Sequence, residues 1–131
     1  MQDVYDFLKK AGTYYLATVD GVKPRVRPFG TVNMFENKLY FQTGKNKDVS
    51  KQIRANPHIE ICAMSGDHRW IRIEADAVED DRTAARQNML DAYPELKARY
   101  AADDGNTEVM YLKNAKATIS SFSAEPKVIT F

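Results

Sequence analysis

Short runs that alternate between apolar and polar residues constrain the fold of this chain more than any other feature. A period of two places one face of a strand against a core and the other face in solvent. Turn-forming residues such as Asp20-Gly21 and Ser65-Gly66-Asp67 separate the runs. Strands are predicted at residues 14–19, 24–35, 38–43, 58–64, 70–78, 108–112 and 115–122, with a last extended piece at 128–131. Pro28 and Gly30 interrupt the second run, which predicts a bulge or an edge strand there.

Helical patterns occur between the strands. Residues 3–11 carry an apolar stripe with helical spacing, and further helices are predicted after Asp48, after Asp81 and from Pro94. We therefore expect an α+β fold that is mainly β, a small antiparallel barrel with short helices between its hairpins. A length of 131 residues without an internal repeat or a linker fits a single domain spanning residues 1–131.

The chain contains one cysteine, Cys62, so no internal disulfide can form, and we expect an intracellular protein. Cys62 lies between Ile61 and Ala63, which predicts a buried, unreactive thiol. No apolar run approaches the length of a membrane span, and the first residues lack the apolar centre of a signal peptide. These observations favour a cytoplasmic protein without a membrane partner.

Charge is unevenly distributed along the chain. The formal net charge is only +1, which argues against a nucleic-acid-binding surface over the whole molecule. Residues 23–54, however, contain eight basic and only two acidic residues. Such a local excess is what an anion-binding site requires, although a solvated lysine-rich face has the same composition.

Common catalytic signatures are absent. The chain has no G-x-S-x-G nucleophile elbow, no metal-type spacing of His or Cys, and no G-x-G-x-x-G dinucleotide motif. The segment Gly44-Lys45-Asn46-Lys47 lacks the first glycine of a P-loop. His58 and His68 are ten residues apart in different local contexts, and neither indicates a catalytic site.

The remaining candidate is a phosphate site in the basic segment. Arg25 and Arg27 are two residues apart on a predicted strand, so their side chains leave the same face. The next predicted helix offers the free amides of its N-terminal turn, which bind anions. Guanidinium, ammonium and hydroxyl groups would complete the site. The residues that would contribute are Arg25, Arg27, Thr43, Gly44, Lys45, Lys47, Lys51 and Arg54. The alternative is that both arginines lie on an exposed strand face and bind no ligand.

Three segments resemble the pyridoxamine 5'-phosphate oxidase-like superfamily, and within it the small nitroimidazole-resistance-like flavoproteins. They are YLATVDGVKPRVRPFGTV, KLYFQTGKNKDVSKQIRANPHIEICAM and RWIRIEADAV. The resemblance runs from the first helix to Ser120-Ser121-Phe122. The family implies a split β-barrel that binds FMN between the two subunits of a homodimer.

The resemblance also implies roles for individual residues. Arg25 and Arg27 would contact the phosphate and ribityl chain, and Pro28 and Phe29 would lie near the edge of the isoalloxazine. The rest of the phosphate grip would be Thr43, Gly44, Lys45, Lys47 and Lys51. Trp70 of the other subunit would border the ring, unless it is a packing residue at the rim of the barrel.

The chain also departs from the oxidases that give the superfamily its name. They have an S-R-K run where this chain has Lys47-Asp48-Val49, and they end in a W-x-x-R-L segment where this chain ends in SFSAEPKVITF. The resemblance therefore implies the fold and the cofactor, but not the oxidation of vitamin B6.

Four functional readings follow from the sequence. The first is an FMN-dependent oxidoreductase that acts on an unidentified small organic molecule as a homodimer, and the second is a flavin-binding or electron-shuttling protein without its own substrate. The third is a barrel of the same type with a deazaflavin in place of FMN. The fourth, ranked well behind, is a nucleic-acid-binding barrel. Its stacking aromatics would be Phe29, Phe35, Tyr40 and Phe41.

Overall fold

The structure is a computed structural model that describes residues 1–131, and it consists of one eight-stranded antiparallel sheet with helices packed against it. The helices are α1 (Gln2–Ala11), α2 (Asp48–Ala55), α3 (Thr83–Ala92) and a 3₁₀ turn at Pro94–Ala98. The strands are β1 (Tyr14–Asp20), β2 (Lys23–Phe29), β3 (Asn33–Phe35), β4 (Lys38–Gly44), β5 (His58–Met64), β6 (Trp70–Glu79), β7 (Thr107–Ser120) and β8 (Lys127–Thr130). The prediction of a mainly β, α+β split barrel is confirmed.

The strand order explains why the barrel is split. The strands follow the order β2-β1-β5-β6-β7-β4-β3, with β8 also paired to β7. The end strands β2 and β3 do not pair with each other, and residues 30–32 connect them. Because β2 lies at an edge, its two prolines, Pro24 and Pro28, leave no gap in an interior hydrogen-bond ladder, as the sequence predicted.

The core fills the inside of the curved sheet. Its main cluster comprises 22 buried residues, including Leu16, Phe41, Ile61 and Ile73. Helix α1 closes one side with its predicted apolar stripe, of which Val4, Phe7 and Leu8 are buried. A smaller cluster formed by Tyr40, Ala85, Met89 and Val109 packs α3 onto the outside of β4 and β7.

Two details of the predicted secondary structure are wrong, and the helical stretch predicted from Pro94 is shorter than expected. The run 24–35 is two strands, since the chain crosses between sheet ends at residues 30–32 and the Tyr14 hydroxyl donates to the Thr31 carbonyl there. The runs 108–112 and 115–122 form one strand, β7, that is interrupted only by a bulge. Glu74 pairs with Lys116 and Asp76 with Lys113, so β7 has one residue more than β6 there, and Asn114 takes a positive φ of 53° within the bulge. The stretch from Pro94 is only a short 3₁₀ turn.

The predicted burial of Cys62 is also wrong. Strand β5 alternates regularly, with Ile59, Ile61 and Ala63 facing the core, so Cys62 lies on the exposed face. Separately, no helix in the structure combines the length and apolar character needed to cross a bilayer.

Candidate functional site

An open cleft of about 440 Å³ lies between the edge strand β2 and the N-terminus of α2. It brings together Arg25, Arg27 and Lys47 of the predicted site. The other lining residues are Asp20, Val26, Asp48, Val49 and Gln52. The cleft therefore holds three cationic side chains and two carboxylates, next to the first turn of a helix.

Register explains why the two arginines share this cleft. Arg25 is opposite Thr18 and Arg27 is opposite Leu16 in the β1–β2 ladder. Paired residues lie on the same face of a sheet, and Leu16 and Thr18 point inward, at 0% and 3% exposure. Both arginines thus reach under the rim of the barrel, toward α2, as their two-residue spacing predicted.

The surroundings of the two arginines differ. The Arg25 Nε donates to Asp20 Oδ2 at 3.0 Å, an ion pair in which both side chains are about half exposed. Arg27 has no carboxylate within ion-pair distance, and its guanidinium donates to three neutral acceptors. These are the Leu16 carbonyl at 3.1 Å, Thr18 Oγ1 at 2.8 Å and Gln52 Oε1 at 2.7 Å. Burial lowers the pKa of the Arg27 side chain, and the nearby Asp48 carboxylate opposes that shift.

The N-terminus of α2 supplies main-chain donors to the same cleft. Its N-cap residue, Lys47, has an extended conformation and makes no side-chain capping bond. The amides of Ser50 and Lys51 bond to the Lys47 carbonyl. The preceding amides, of Asp48 and Val49, have no intrahelical acceptor, and such groups attract anions.

A second loop fixes the turn that leads into α2. The Lys45 amide donates to the Asn106 carbonyl at 2.8 Å, and the Asn46 amide donates to Asn106 Oδ1 at 3.1 Å. A Cβ atom on Gly44 would lie only 3.0 Å from Asn46 Oδ1 and 3.1 Å from Asn106 Nδ2, which explains the glycine. The Lys47 amide then donates to the Gly44 carbonyl, at 3.0 Å, and completes the turn.

Asp104 in turn holds the loop that carries Asn106. Its carboxylate accepts hydrogen bonds from the amides of Ala101, Asn106 and Thr107, and from the Thr107 hydroxyl. These donors, above all the amides of Thr107 and Ala101, hold the pKa of Asp104 well below its usual range. Asp104 therefore stays ionised and keeps the loop in place.

The remaining predicted site residues do not line the cleft. Thr43 is 4% exposed, and its hydroxyl has no hydrogen-bond partner. Gly44 is buried at the end of β4, and Lys45 pairs with Glu79 at 3.4 Å. Lys51 is exposed on α2, one turn beyond Lys47.

The predicted residues at the flavin ring are also dispersed. The Phe29 ring points inward and contacts Tyr14 and Phe41, with centroid distances of 6.0 and 5.5 Å. Pro28 is exposed on β2. Trp70 packs against Phe122 with ring centroids 5.1 Å apart, at the far end of β6.

Arg54 pairs with a buried carboxylate instead of facing the cleft. Its Nη2 donates to Ser50 Oγ at 2.7 Å and lies 3.7 Å from Glu108 Oε2. The Ser50 hydroxyl donates to Glu108 Oε1 at 2.6 Å. This chain of contacts anchors α2 to β7.

The aromatics proposed for nucleic-acid stacking are mostly inaccessible. Tyr40 and Phe41 are 3% and 2% exposed, and Phe29 packs into the core. Stacking needs an open ring face, so the structure offers no aromatic row beside the basic segment.

Sequence reasoning missed Gln52, Thr18 and Asn106. Asn106 belongs to a loop 60 residues away from the turn that it holds. Asn106 lies between the Asp104-Gly105 pair and strand β7, and this position in the sequence predicts a turn. No local pattern, however, indicates which residues that turn contacts.

Comparison with known proteins identifies the family. The family described as pyridoxamine 5'-phosphate oxidase matches residues 1–122. The chain belongs to this family. A NimC/NimA family protein from Clostridium acetobutylicum is 40% identical, with a TM-score of 0.97 over 100% of this chain and 92% of that chain.

Less similar members of the pyridoxamine 5'-phosphate oxidase-like fold share the architecture. General Stress Protein 26 from Bacillus anthracis has a TM-score of 0.77 at 16% identity, covering 99% of this chain and 98% of that chain. An F420 reductase has a TM-score of 0.62 at 20% identity, covering 82% and 90%. A comparison with curated protein sequences finds no match. Family and fold together support a flavin-binding type of barrel, with the cationic cleft at its rim.

Proposed function

We propose that this protein binds FMN through the cleft between β2 and α2 and acts as an FMN-dependent oxidoreductase on a small organic molecule. The observation that supports the cofactor most directly is Arg27, a fixed and partly buried cation without a carboxylate partner. Family membership supports a flavin, and the donor set suits its phosphate ester. FMN supplies hydride and electron transfer when bound, while the protein binds and orients it.

The cleft offers both charged and neutral hydrogen-bond donors to a phosphate group. Arg27 and Lys47 offer charged donors, and the amides of Asp48 and Val49 offer neutral ones. Charge-assisted donors bind phosphate more strongly than neutral donors do. Val49, in the first turn of α2, adds an apolar group to the lining of the cleft. One compact group of cations fits one phosphate, which favours FMN over a deazaflavin with a longer anionic tail.

We also propose that the protein is a homodimer. Tyr15, Val26 and Met64 are 51%, 67% and 62% exposed. The sheet register places them on the same outer face, across the neighbouring strands β2, β1 and β5. Trp70 lies on that face too, opposite Met64. A second copy packed there would bury these side chains and reach the edge strand that borders the cleft.

Titration of the purified protein with FMN tests the cofactor proposal. Arg27→Gln and Lys47→Gln should each weaken FMN binding at least tenfold, since losing one charged hydrogen bond costs about 1.5–3 kcal/mol. Lys10→Gln, which changes an exposed lysine in α1, is the control and should bind as the wild type does. Equal FMN affinity in all four proteins would show that the cleft is not the phosphate site.

Steady-state oxidation of NADH or NADPH by the FMN-loaded protein tests the enzymatic part. Turnover with an added nitro- or quinone-type acceptor supports an oxidoreductase. Tight FMN binding without turnover on any acceptor would favour the flavin carrier or electron shuttle instead. Parallel titration with F420 decides between the two flavin types.

A further inference from the structure

Gln52 contacts Arg27, the arginine of the cleft that has no carboxylate partner. The Gln52 side chain leaves α2 one turn after the N-terminus and lines the cleft. Gln52 Oε1 accepts two hydrogen bonds, from Thr18 Oγ1 at 2.5 Å and from Arg27 Nη2 at 2.7 Å. Thr18 is only 3% exposed, and it also accepts from Arg27 Nη1. The three side chains thus form a closed triangle of hydrogen bonds.

This triangle fixes the Arg27 guanidinium without neutralising it. A carboxylate at position 52 could accept the same two hydrogen bonds, but it would cancel the positive charge of the arginine. The other arginines of the basic segment show that outcome, because Arg25 pairs with Asp20 and Arg54 with Glu108. An anionic ligand at those positions must compete with a carboxylate of the protein.

We propose that Gln52, together with Thr18, is a positioning residue that orients Arg27 and preserves its full charge for the phosphate of the ligand. The inference rests on the proposed FMN site and assigns specificity within it: Gln52 makes the cleft select the phosphorylated form of the flavin. A neutral acceptor leaves the positive charge of Arg27 available to the ligand, and charge-assisted hydrogen bonds to phosphate are stronger than neutral ones. Orientation matters as well, since a guanidinium held in place loses less side-chain entropy on binding.

Asp48 is the main opposing charge. It is exposed at the first position of α2, lines the same cleft and interacts electrostatically with Arg27. Asp20 also lines the cleft, but Arg25 pairs with it. The charge that remains for a ligand is therefore finely balanced, and a single added or removed carboxylate should shift the affinity measurably.

The test compares FMN with riboflavin, which lacks the phosphate. The ratio of the riboflavin Kd to the FMN Kd measures phosphate recognition separately from ring binding. Gln52→Glu conserves the length of the side chain and the acceptor for Thr18 and Arg27, and should lower this ratio about tenfold. Asp48→Asn leaves the triangle intact. It should raise the ratio roughly twofold to fivefold, because it removes one solvent-exposed carboxylate that opposes the charge of Arg27.

The outcomes separate this inference from the proposed function. If the wild type binds neither flavin, the proposed function fails before Gln52 is compared. If Gln52→Glu binds FMN with the wild-type ratio, the inference is overturned, because the side chain at position 52 then has no influence on the charge that Arg27 presents to the phosphate. An unchanged ratio in Asp48→Asn overturns it too, and that variant gives an answer even if Gln52→Glu does not fold.

Discussion

Glu108 is the only acidic residue among the fully buried ones, at 1% exposure. Burial raises the pKa of its carboxyl group, and the hydrogen bond from Ser50 only partly offsets this effect. The folded state therefore keeps the proton to higher pH than the unfolded chain does. Stability should decrease as pH rises from the ordinary value of 4.5 through the raised folded pKa, because the folded state then binds more protons than the unfolded state.

Glu108→Gln should abolish that decrease. The amide keeps an oxygen for the Ser50 hydroxyl but has no charge to desolvate. Urea unfolding between pH 4.5 and about pH 8 should show the free energy of unfolding of the variant rising relative to the wild type as pH increases. Glu125→Gln, at an exposed position, serves as the control. Parallel pH profiles for Glu108→Gln and the wild type would contradict the prediction.

Among the secondary-structure elements, the turn between β4 and α2 depends on a partner from outside its own segment. Asn106 gives this turn two acceptors, a main-chain carbonyl for Lys45 and a side-chain oxygen for Asn46. Asn106→Ala removes only the second acceptor and should lower the free energy of unfolding by about 1 kcal/mol. Hydrogen exchange of the Asn46 amide should accelerate in the same variant.

Asn106→Asp is the matched comparison for that element. It keeps an oxygen for the Asn46 amide, so the protection of this amide should stay close to that of the wild type. If the Asn46 amide exchanges as slowly in Asn106→Ala as in the wild type, the prediction is contradicted. The main-chain hydrogen bond from Lys45 would then be sufficient to hold the turn.

The edge strand β2 combines a binding role with protection against edge-to-edge association. Pro24 and Pro28 have no main-chain N–H to offer another strand, and Lys23 and Arg25 add charge. Such features discourage an edge strand from pairing with another chain. Arg27 can therefore lie at an exposed rim of the barrel without making β2 a site of aggregation.

For the whole molecule, the exposed outer face predicts the state of association. Glutamate in place of both Tyr15 and Met64 places two charges among apolar side chains and should convert a dimer to a monomer. Light scattering after size-exclusion chromatography measures the change. Ala98→Glu adds a charge at an exposed site on the 3₁₀ turn and should remain dimeric. A monomeric wild-type protein would contradict the proposed homodimer.

The sequence predicted most of the secondary structure because its information is local. The spacing of Val4, Phe7 and Leu8 identified the inward face of α1. In β5 the prediction was wrong for Cys62, which lies on the exposed face of the strand. The spacing of Arg25 and Arg27 predicted a common face, which the register confirms. The family resemblance supplied the split barrel that the strand order confirms.

What the sequence alone determined, then, is the period of each element, the cationic character of residues 23–54 and the family. Only the tertiary structure decided which of those cations remain unpaired. Arg25 and Arg27 look equivalent along the chain, yet Asp20 pairs with one, and Gln52 and Thr18 hold the other. The reason is physical: the charge a ligand encounters depends on acceptors brought within about 3 Å by folding. For Arg27, one of these acceptors comes from 25 residues away.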